Sequence, residues 1–433
     1  MIDILVRWNR WGTAKLLGGI VRSITSTITE FVTTNDIIVL MGPRRAGKST
    51  ILYQVMDYLE KTGVEQKAML HINFEEPAFA PRLSLQLLDD LYGAYRTEVF
   101  PSGKAYLFLD EIQNISEWER WVRSRNQTED IKIFITGSSS KLMSRELATV
   151  LTGRHLSFQV YPLSFREFLQ FNAIIIPPKP WSFQAPALIQ HALIRYMKWG
   201  GYPEVVLSDS EKRKELLITQ YFDDMLFKDI ALRHSIRDVM SLRSLAVHLV
   251  GQTAQLITFK RLATLFSIST DTASSYCTYL HESFFSSFVP YFSFKVAERN
   301  RNPKKVHAVD LGLRSMVTIS GSPDKGKLVE TLVHNHVLQT TKDALYYWKD
   351  NGEIDLLTYR DSVINKVIQV MYEGLDNEKV MQRGIGALKE AKEHFPQAQA
   401  LLIVGDIAGK LILPKNEGIE CVPLWHFLLS DFS

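Results

Sequence analysis

Eight residues constrain this chain more than any others. Gly42-Pro43-Arg44-Arg45-Ala46-Gly47-Lys48-Ser49 satisfies G-x-x-x-x-G-K-[ST] at every fixed position. An apolar, β-rich run, Asp36–Met41, precedes it, and Thr50–Met56 opens a helical pattern after it. Strand, loop and helix in that order predict an α/β sheet with a phosphate-binding loop at a strand's carboxyl end. The glycines let the backbone curl so that N–H groups face one point, and the helix N-terminus adds its partial positive charge there. Residues Gly42 through Thr50 would wrap the phosphates of ATP. Lys48 would reach the β- and γ-phosphates, and the Ser49 hydroxyl would take one position on Mg²⁺.

A second motif follows. Ala105–Asp110 reads as a buried strand whose carboxyl end carries Asp110 and Glu111. A parallel strand delivers its terminal side chains to the sheet edge where nucleotides bind. Asp110 would hold Mg²⁺ through water, and Glu111 would orient or deprotonate the attacking water. The strand Ile131–Thr136 ends in Gly137-Ser138-Ser139-Ser140 beside the same edge. Ser138, with Thr136 in reserve, is placed to sense the γ-phosphate, although a helix N-cap is the competing job for a serine there.

Bulk composition excludes little but is useful. A length of 433 residues predicts two to four domains, and 46% hydrophobic with 22% charged residues is an ordinary globular balance. A net charge of +3 means that nucleic-acid binding has to come from a local patch. The two cysteines, Cys277 and Cys421, are far apart and support neither a disulfide framework nor a zinc cluster. No apolar run reaches bilayer-spanning length, and Asp3 and Arg7 spoil the first stretch as a signal peptide, so a cytoplasmic location is expected. Residues 1–30 read as a helical segment packed on the core, with Arg7, Arg10, Lys15 and Arg22 on a solvated face; a contribution to a basic surface is the competing reading.

These motifs, with Thr152-Gly153-Arg154, Tyr161–Phe168, Gly200-Gly201-Tyr202-Pro203-Glu204, Phe227–Ile230, Lys304–Leu313 and Tyr347–Asp355, resemble a family over nearly the whole chain. It is that of the AAA-type (P-loop, ASCE) ATPases carrying a C-terminal restriction-endonuclease-like domain of unknown function. The resemblance implies that Arg154 lies near the phosphates of its own or a neighbouring subunit, where an arginine suits charge spreading over the γ-oxygens. It also implies that Tyr202 or Pro203 packs on the adenine ring in a turn closing a helical lid; a plain turn between helices is the competing reading.

Further along, Ile257–Phe266, a turn at Ser267–Asp271 and Thr272–His281 form a helix-turn-helix pattern. A strand-like run then leads to Lys295, Arg299, Arg301, Lys304 and Lys305. This reads as a winged helix whose β wing has a basic tip for DNA phosphates. The last segment alternates strand and helix in the order of a PD-(D/E)xK nuclease core. Glu330 and Asp355 match its first two acids, but Gln369 and Met371 stand where the third acid and the lysine belong. Glu353 and Glu373 would each need a register shift to substitute.

The expected fold is α/β, with five parts: a helical segment at 1–30, an AAA-type core at 31–162, a helical lid at 163–238, a winged helix at 239–310 and a degenerate nuclease-like domain at 311–433. The expected function is ATP hydrolysis coupled to DNA binding or remodelling, as a possible homo-oligomer with no membrane partner. A STAND-like signalling switch that recruits a protein partner is the alternative, and an ATP-gated nuclease is disfavoured by Gln369 and Met371.

Overall fold

The computed structural model describes residues 1–138, 154–317, 324–372, 378–405 and 418–431. The chain divides into two compact units, Met1–Tyr161 and Pro162–Ser433.

The first unit is built on a five-stranded parallel sheet of β1 (Ile37–Met41), β2 (Met69–Asn73), β3 (Ala105–Asp110), β4 (Ile131–Gly137) and β5 (His155–Gln159), in the order β2–β3–β4–β1–β5. Every residue of β1 and β4 is buried, as expected of inner parallel strands covered on both faces. Their register pairs Ile38 with Phe134 and Met41 with Gly137, so the loops after β1, β3 and β4 open on one edge. Helices α3 (Lys48–Lys61), α4 (Leu85–Glu98) and α5 (Trp118–Thr128) are the crossovers.

The amino-terminal segment is not one solvated helix. It forms α1 (Ile2–Trp8), a long loop and α2 (Ser23–Thr29). Two of its arginines are drawn inward: Arg10 pairs with Asp57 at 2.7 Å and donates to the carbonyls of Leu16 and Tyr53, while Arg22 is 5% exposed. The reason is the supply of partners: Asp57, Glu60 and the Tyr53 carbonyl of α3 meet Arg10, and the Ala46 and Tyr161 carbonyls meet Arg22, so neither charge is buried without a partner.

The second unit begins with α6 (Phe165–Phe171), α7 (Ala187–Trp199), α8 (Pro203–Leu207) and α9 (Glu211–Asp224), then wider i→i+5 turns over Met225–Leu232. Next come α10 (Val239–Gly251), β6 (Gln255–Ile257), α11 (Phe259–Phe266), α12 (Thr270–Glu282), β7 (Ser286–Val289), α13 (Val296–Arg301) and β8 (Lys304–Ala308). The three strands form an antiparallel sheet ordered β6–β8–β7. The last part comprises α14 (Leu311–Val317), α15 (Lys325–Thr340), β9 (Ala344–Lys349), β10 (Glu353–Arg360), β11 (Val363–Met371), α16 (Glu378–His394), β12 (Gln399–Val404), β13 (Ile419–Pro423) and α17 (Leu424–Leu429). Its sheet is ordered β13–β12–β11–β10–β9, antiparallel through β9–β11 and parallel from β11 to β13.

The residues expected to form a separate lid share a core with the carboxyl-terminal segment: Phe165, Phe168 and Ile189 pack in one cluster with Val329, Leu356 and Trp425. Two sequence motifs also meet here. Gly200, at φ +71°, would place a Cβ 1.8 Å from Asp310 Oδ1, and the Asp310 carboxylate accepts from the N–H of Gly201 at 2.7 Å and of Gly312 at 2.8 Å. Only glycine fits that turn.

Candidate nucleotide site and a carboxylate cluster

Gly42 follows β1 so closely beside Val160 that a Cβ would lie 1.9 Å from the Val160 carbonyl, and Gly47, at φ +97°, turns the chain into α3. Lys48 is 4% exposed. Its Nζ donates to the Gly42 carbonyl at 3.0 Å and the Pro43 carbonyl at 3.1 Å, and stands 3.4 Å from Glu111 Oε1. The first helical residues thus place the ammonium over the mouth of the loop. Arg44 pairs with Glu75 at 2.5 Å, Arg45 is exposed in a left-handed conformation, and Ala46 is buried.

On the neighbouring strands, Asp110 is buried and Glu111 sits in the left-handed region at φ 54°, a backbone state that side chains other than glycine adopt mainly under constraint. Thr136 supplies the constraint. Its hydroxyl donates to Asp110 Oδ1 and accepts from the Glu111 N–H at 3.0 Å, tying β4 to the end of β3. Burial by itself would raise the Asp110 carboxyl, but neighbouring His71 and the Ser49 and Thr136 hydroxyls outweigh it and hold the group below its ordinary value. Glu111 Oε2 accepts from Gln113 Nε2 at 2.5 Å, and the same amide reaches the Ser138 hydroxyl at 3.4 Å. Ser138 is therefore beside the acidic pair, whereas Thr136 is committed to positioning it.

The Ser49 hydroxyl in contact with the Asp110 carboxylate is a hard oxygen set of the kind Mg²⁺ takes, and Lys48 adds the cation a polyphosphate needs. Arg22 was not legible from spacing: its guanidinium donates to the Ala46 carbonyl at 2.7 Å and the Tyr161 carbonyl at 2.9 Å, bracing the loop from behind. Nothing in the local pattern around Arg22 marks that role, because its partners are backbone oxygens far away in sequence. His71 is a second residue missed, with Nε2 3.9 Å from Asp110 Oδ2.

Two expectations near this site are corrected. The Arg154 carbonyl accepts from the Ile37 N–H, and β5 runs parallel to β1 with Ile37 opposite His155. Arg154 therefore lies at the amino edge of the sheet and the phosphate loop at the carboxyl edge, roughly 15 Å away at about 3.3 Å per residue. It cannot reach the phosphates of its own loop. Tyr202 is fully buried in its own unit, packed edge-on against Tyr221 and donating to Met225 Sδ at 3.5 Å, so no ring face remains for adenine. Pro203 opens α8, the position where its fixed φ and missing N–H cost least. Thr152 and Gly153 fall outside the described residues, as do Ser139, Ser140 and Glu373.

In the second unit the expected basic tip is divided. The segment between β7 and β8 is not a β wing: Phe292 is buried and its N–H donates to the Tyr347 carbonyl at 2.8 Å, and α13 follows. Lys295 and Arg301 are exposed, with Lys295 paired to Glu298 at 3.2 Å. Arg299 donates to the Tyr346 hydroxyl at 3.3 Å, and the Lys304 ammonium lies 5.2 Å from the Phe259 ring centre. Lys305 is no phosphate contact. It is 1% exposed and pairs with Glu330 and Glu353 at 2.9 Å each and with Asp355 at 3.3 Å, because alternation along β8 turns it inward when Lys304 turns outward.

Glu330, Asp355 and Gln369 do converge, with Gln369 Nε2 donating to Asp355 Oδ2 at 2.8 Å. Glu353 joins them without a register shift, being two residues before Asp355 on the same strand face. Met371 does not join. It packs in the core beneath α16, so tightly that a Cβ on Gly384 would lie 2.3 Å from its sulfur. Burial pushes the Glu330 carboxyl up to about 8, with the Asp355 charge adding to this and Lys305 opposing it.

A profile of the AAA domain family matches residues 34–169, and a profile of a domain family of unknown function, DUF8612, matches residues 190–324. Residues 34–169 thus carry an AAA domain, with the parallel sheet and phosphate loop of a P-loop fold. An uncharacterized protein of Methanocaldococcus jannaschii is 30% identical over 415 residues, covering 92% of this chain and 89% of that protein. An uncharacterized protein of Haemophilus influenzae is 30% identical over 358 residues, covering 81% and 86%. The chain belongs to the family of these two proteins. Among solved structures, the Orc1 protein of Aeropyrum pernix in complex with DNA aligns with a TM-score of 0.34 at 10% identity, over 69% of this chain and 93% of that one. Among the described residues, no helix is long and apolar enough to cross a membrane.

Proposed function

We infer that the chain binds Mg·ATP and hydrolyses it, coupling nucleotide state to DNA binding. The observation that carries the nucleotide reading is the convergence of Lys48, Ser49, Asp110, Glu111 and Thr136 at one sheet edge. Lys48 would exchange its carbonyl partners for the phosphates, Ser49 and Asp110 would hold Mg²⁺, which would supply charge neutralisation, and Glu111 would align water. Arg154, at the opposite edge of the sheet from its own loop, can serve only a neighbouring subunit's nucleotide, which makes an oligomer part of the reading.

The DNA reading is supported by the order α10–β6–α11–α12–β7–β8, that of a winged helix in which a short helix replaces the wing tip, and by exposed Lys295 and Arg301 with half-buried Lys304. Against it, α12 begins with exposed Asp271 and brings no arginine to its open face. That observation favours the second reading, a switch recruiting a protein partner. The α15–β9–β10–β11–α16–β12 order supports a nuclease-like core, and Gln369 and Met371 in place of an acid and a lysine argue that it does not cut.

Lys48→Ala is expected to abolish ATP binding, and Glu111→Gln to bind ATP without turnover, by equilibrium binding and phosphate release. Wild-type turnover in Glu111→Gln would remove the catalytic assignment. DNA that stimulates wild-type turnover, less so when Arg301 and Lys304 are replaced by Glu, supports DNA coupling; no stimulation and no gel shift at low salt favours the protein-partner switch.

A further inference from the structure

The cluster around Lys305 lies apart from the nucleotide site. Three acidic side chains surround the ammonium, with Glu330 Oε1 and Glu353 Oε1 at 2.9 Å and Asp355 Oδ1 at 3.3 Å, the last of these in hydrogen-bonding geometry. The second Asp355 oxygen is also taken, accepting from Gln369 Nε2 at 2.8 Å and the Val370 N–H at 2.9 Å. The Gln369 Oε1 atom is buried and has no hydrogen-bond partner in the described structure. Carboxylates gathered from α15 and β10, with a neutral amide oxygen beside them, are the hard donors that a divalent cation collects. The side chain at their centre, however, is 99% buried and arrives from β8, in a different sheet.

We propose that Lys305 is a built-in replacement for a divalent metal ion: its ammonium occupies the cation position defined by Glu330, Glu353 and Asp355. The site is thereby filled from within, and β8 is locked to the carboxyl-terminal sheet. Lysine and metal compete for the same oxygens, so a metal enters only when the lysine is absent. On the reading of this segment as a nuclease-like core, the replacement predicts an absence of cleavage more directly than the loss of a lysine at position 371 does. The metal ion that such chemistry requires has no place left to bind.

The test uses the full chain without nucleotide and Mn²⁺ as the probe, followed by paramagnetic relaxation of water, with thermal unfolding in parallel. Wild type is expected to hold no Mn²⁺ that Asp355→Asn removes, which subtracts any ion at the phosphate loop. Lys305→Ala is expected to gain one Mn²⁺ per chain, lost again in Lys305→Ala/Asp355→Asn. Its Tm should fall relative to wild type and be restored by millimolar Mn²⁺ or Mg²⁺, but not by K⁺ at equal ionic strength. Asp355-dependent Mn²⁺ binding by wild type overturns the proposal, as does a folded Lys305→Ala that gains no ion. If Lys305→Ala fails to fold, Lys305→Ala/Glu330→Gln/Asp355→Asn relieves the repulsion. Folding of that variant while Lys305→Ala stays unfolded in Mn²⁺ would also overturn it.

Discussion

Thr136 shows how one hydroxyl can set the geometry of an acidic pair. It bonds Asp110 on one side and the Glu111 backbone on the other, and Glu111 is the residue held at positive φ. Thr136→Val keeps the volume and removes both bonds. Leaving a buried carboxylate and a buried N–H short of a partner costs about 1–3 kcal/mol of stability. Turnover is expected to fall roughly tenfold, the equivalent of about 1.4 kcal/mol of lost positioning, with ATP affinity nearly unchanged because Lys48 and Ser49 are untouched. A Thr136→Val enzyme with wild-type kcat would assign that strain to another contact. Lys305 makes the complementary point: adjacent lysines on one strand have opposite fates, Lys304 over an aromatic ring near the surface and Lys305 in a carboxylate cage.

At the scale of elements, the turn into α8 separates packing from binding. Tyr202 caps that helix with its ring in the core, so Tyr202→Phe loses only a weak contact to sulfur and should cost less than about 1 kcal/mol, whereas Tyr202→Ala should cost roughly 3–5 kcal/mol. Neither should change ATP affinity once folded; a tenfold loss in folded Tyr202→Phe would restore the adenine role. Helix α15 carries a pH dependence. Burial lowers His336 to about 4, helped by the Arg166 charge and opposed by a backbone hydrogen bond from the Ser430 region and the Asp431 charge. A histidine lowered by folding contributes stability that is complete above its unfolded value near 6.5 and is lost as pH falls towards 4. The shift corresponds to about 3 kcal/mol. His336→Phe, beside Phe427, removes this dependence, so its Tm should gain on that of wild type steadily from pH 6.5 to pH 4. Parallel curves would show that His336 stays neutral in both states.

For the whole molecule, the position of Arg154 carries the strongest consequence. An arginine at the amino edge of the sheet has no access to its own phosphates, so the resemblance that places it near a γ-phosphate requires a second subunit. Arg154→Ala and Glu111→Gln should each be inactive alone, and mixing them should recover activity. In mixed assemblies an intact Glu111 site can receive an intact Arg154 from its neighbour. Failure to recover, with hetero-assembly shown by sizing, would leave Arg154 without a catalytic role.

The phosphate loop, the acidic strand end and the alternation of strands with helices were legible because each is local. A glycine spacing, a run of β-branched residues and the residue ending that run are read without knowing what lies opposite them. The helix-turn-helix pair was legible for the same reason: its turn at Ser267 and its cap at Ser269 belong to the segment itself. What tertiary structure decided was every role that depends on a partner distant in sequence. Arg22 became a brace and not a surface charge because backbone carbonyls at 46 and 161 meet it. Tyr202 became core because Tyr221 and Met225 close over it. Lys305 became a buried cation because α15 and β10 bring carboxylates to the face of β8 that the pleat turns inward. By itself the sequence determined the chemistry available at each position, since local pattern sets backbone geometry and side-chain type. Burial and pairing set what that chemistry does, since a charge acts on solvent, phosphate or a neighbouring carboxylate according to what the fold places within reach.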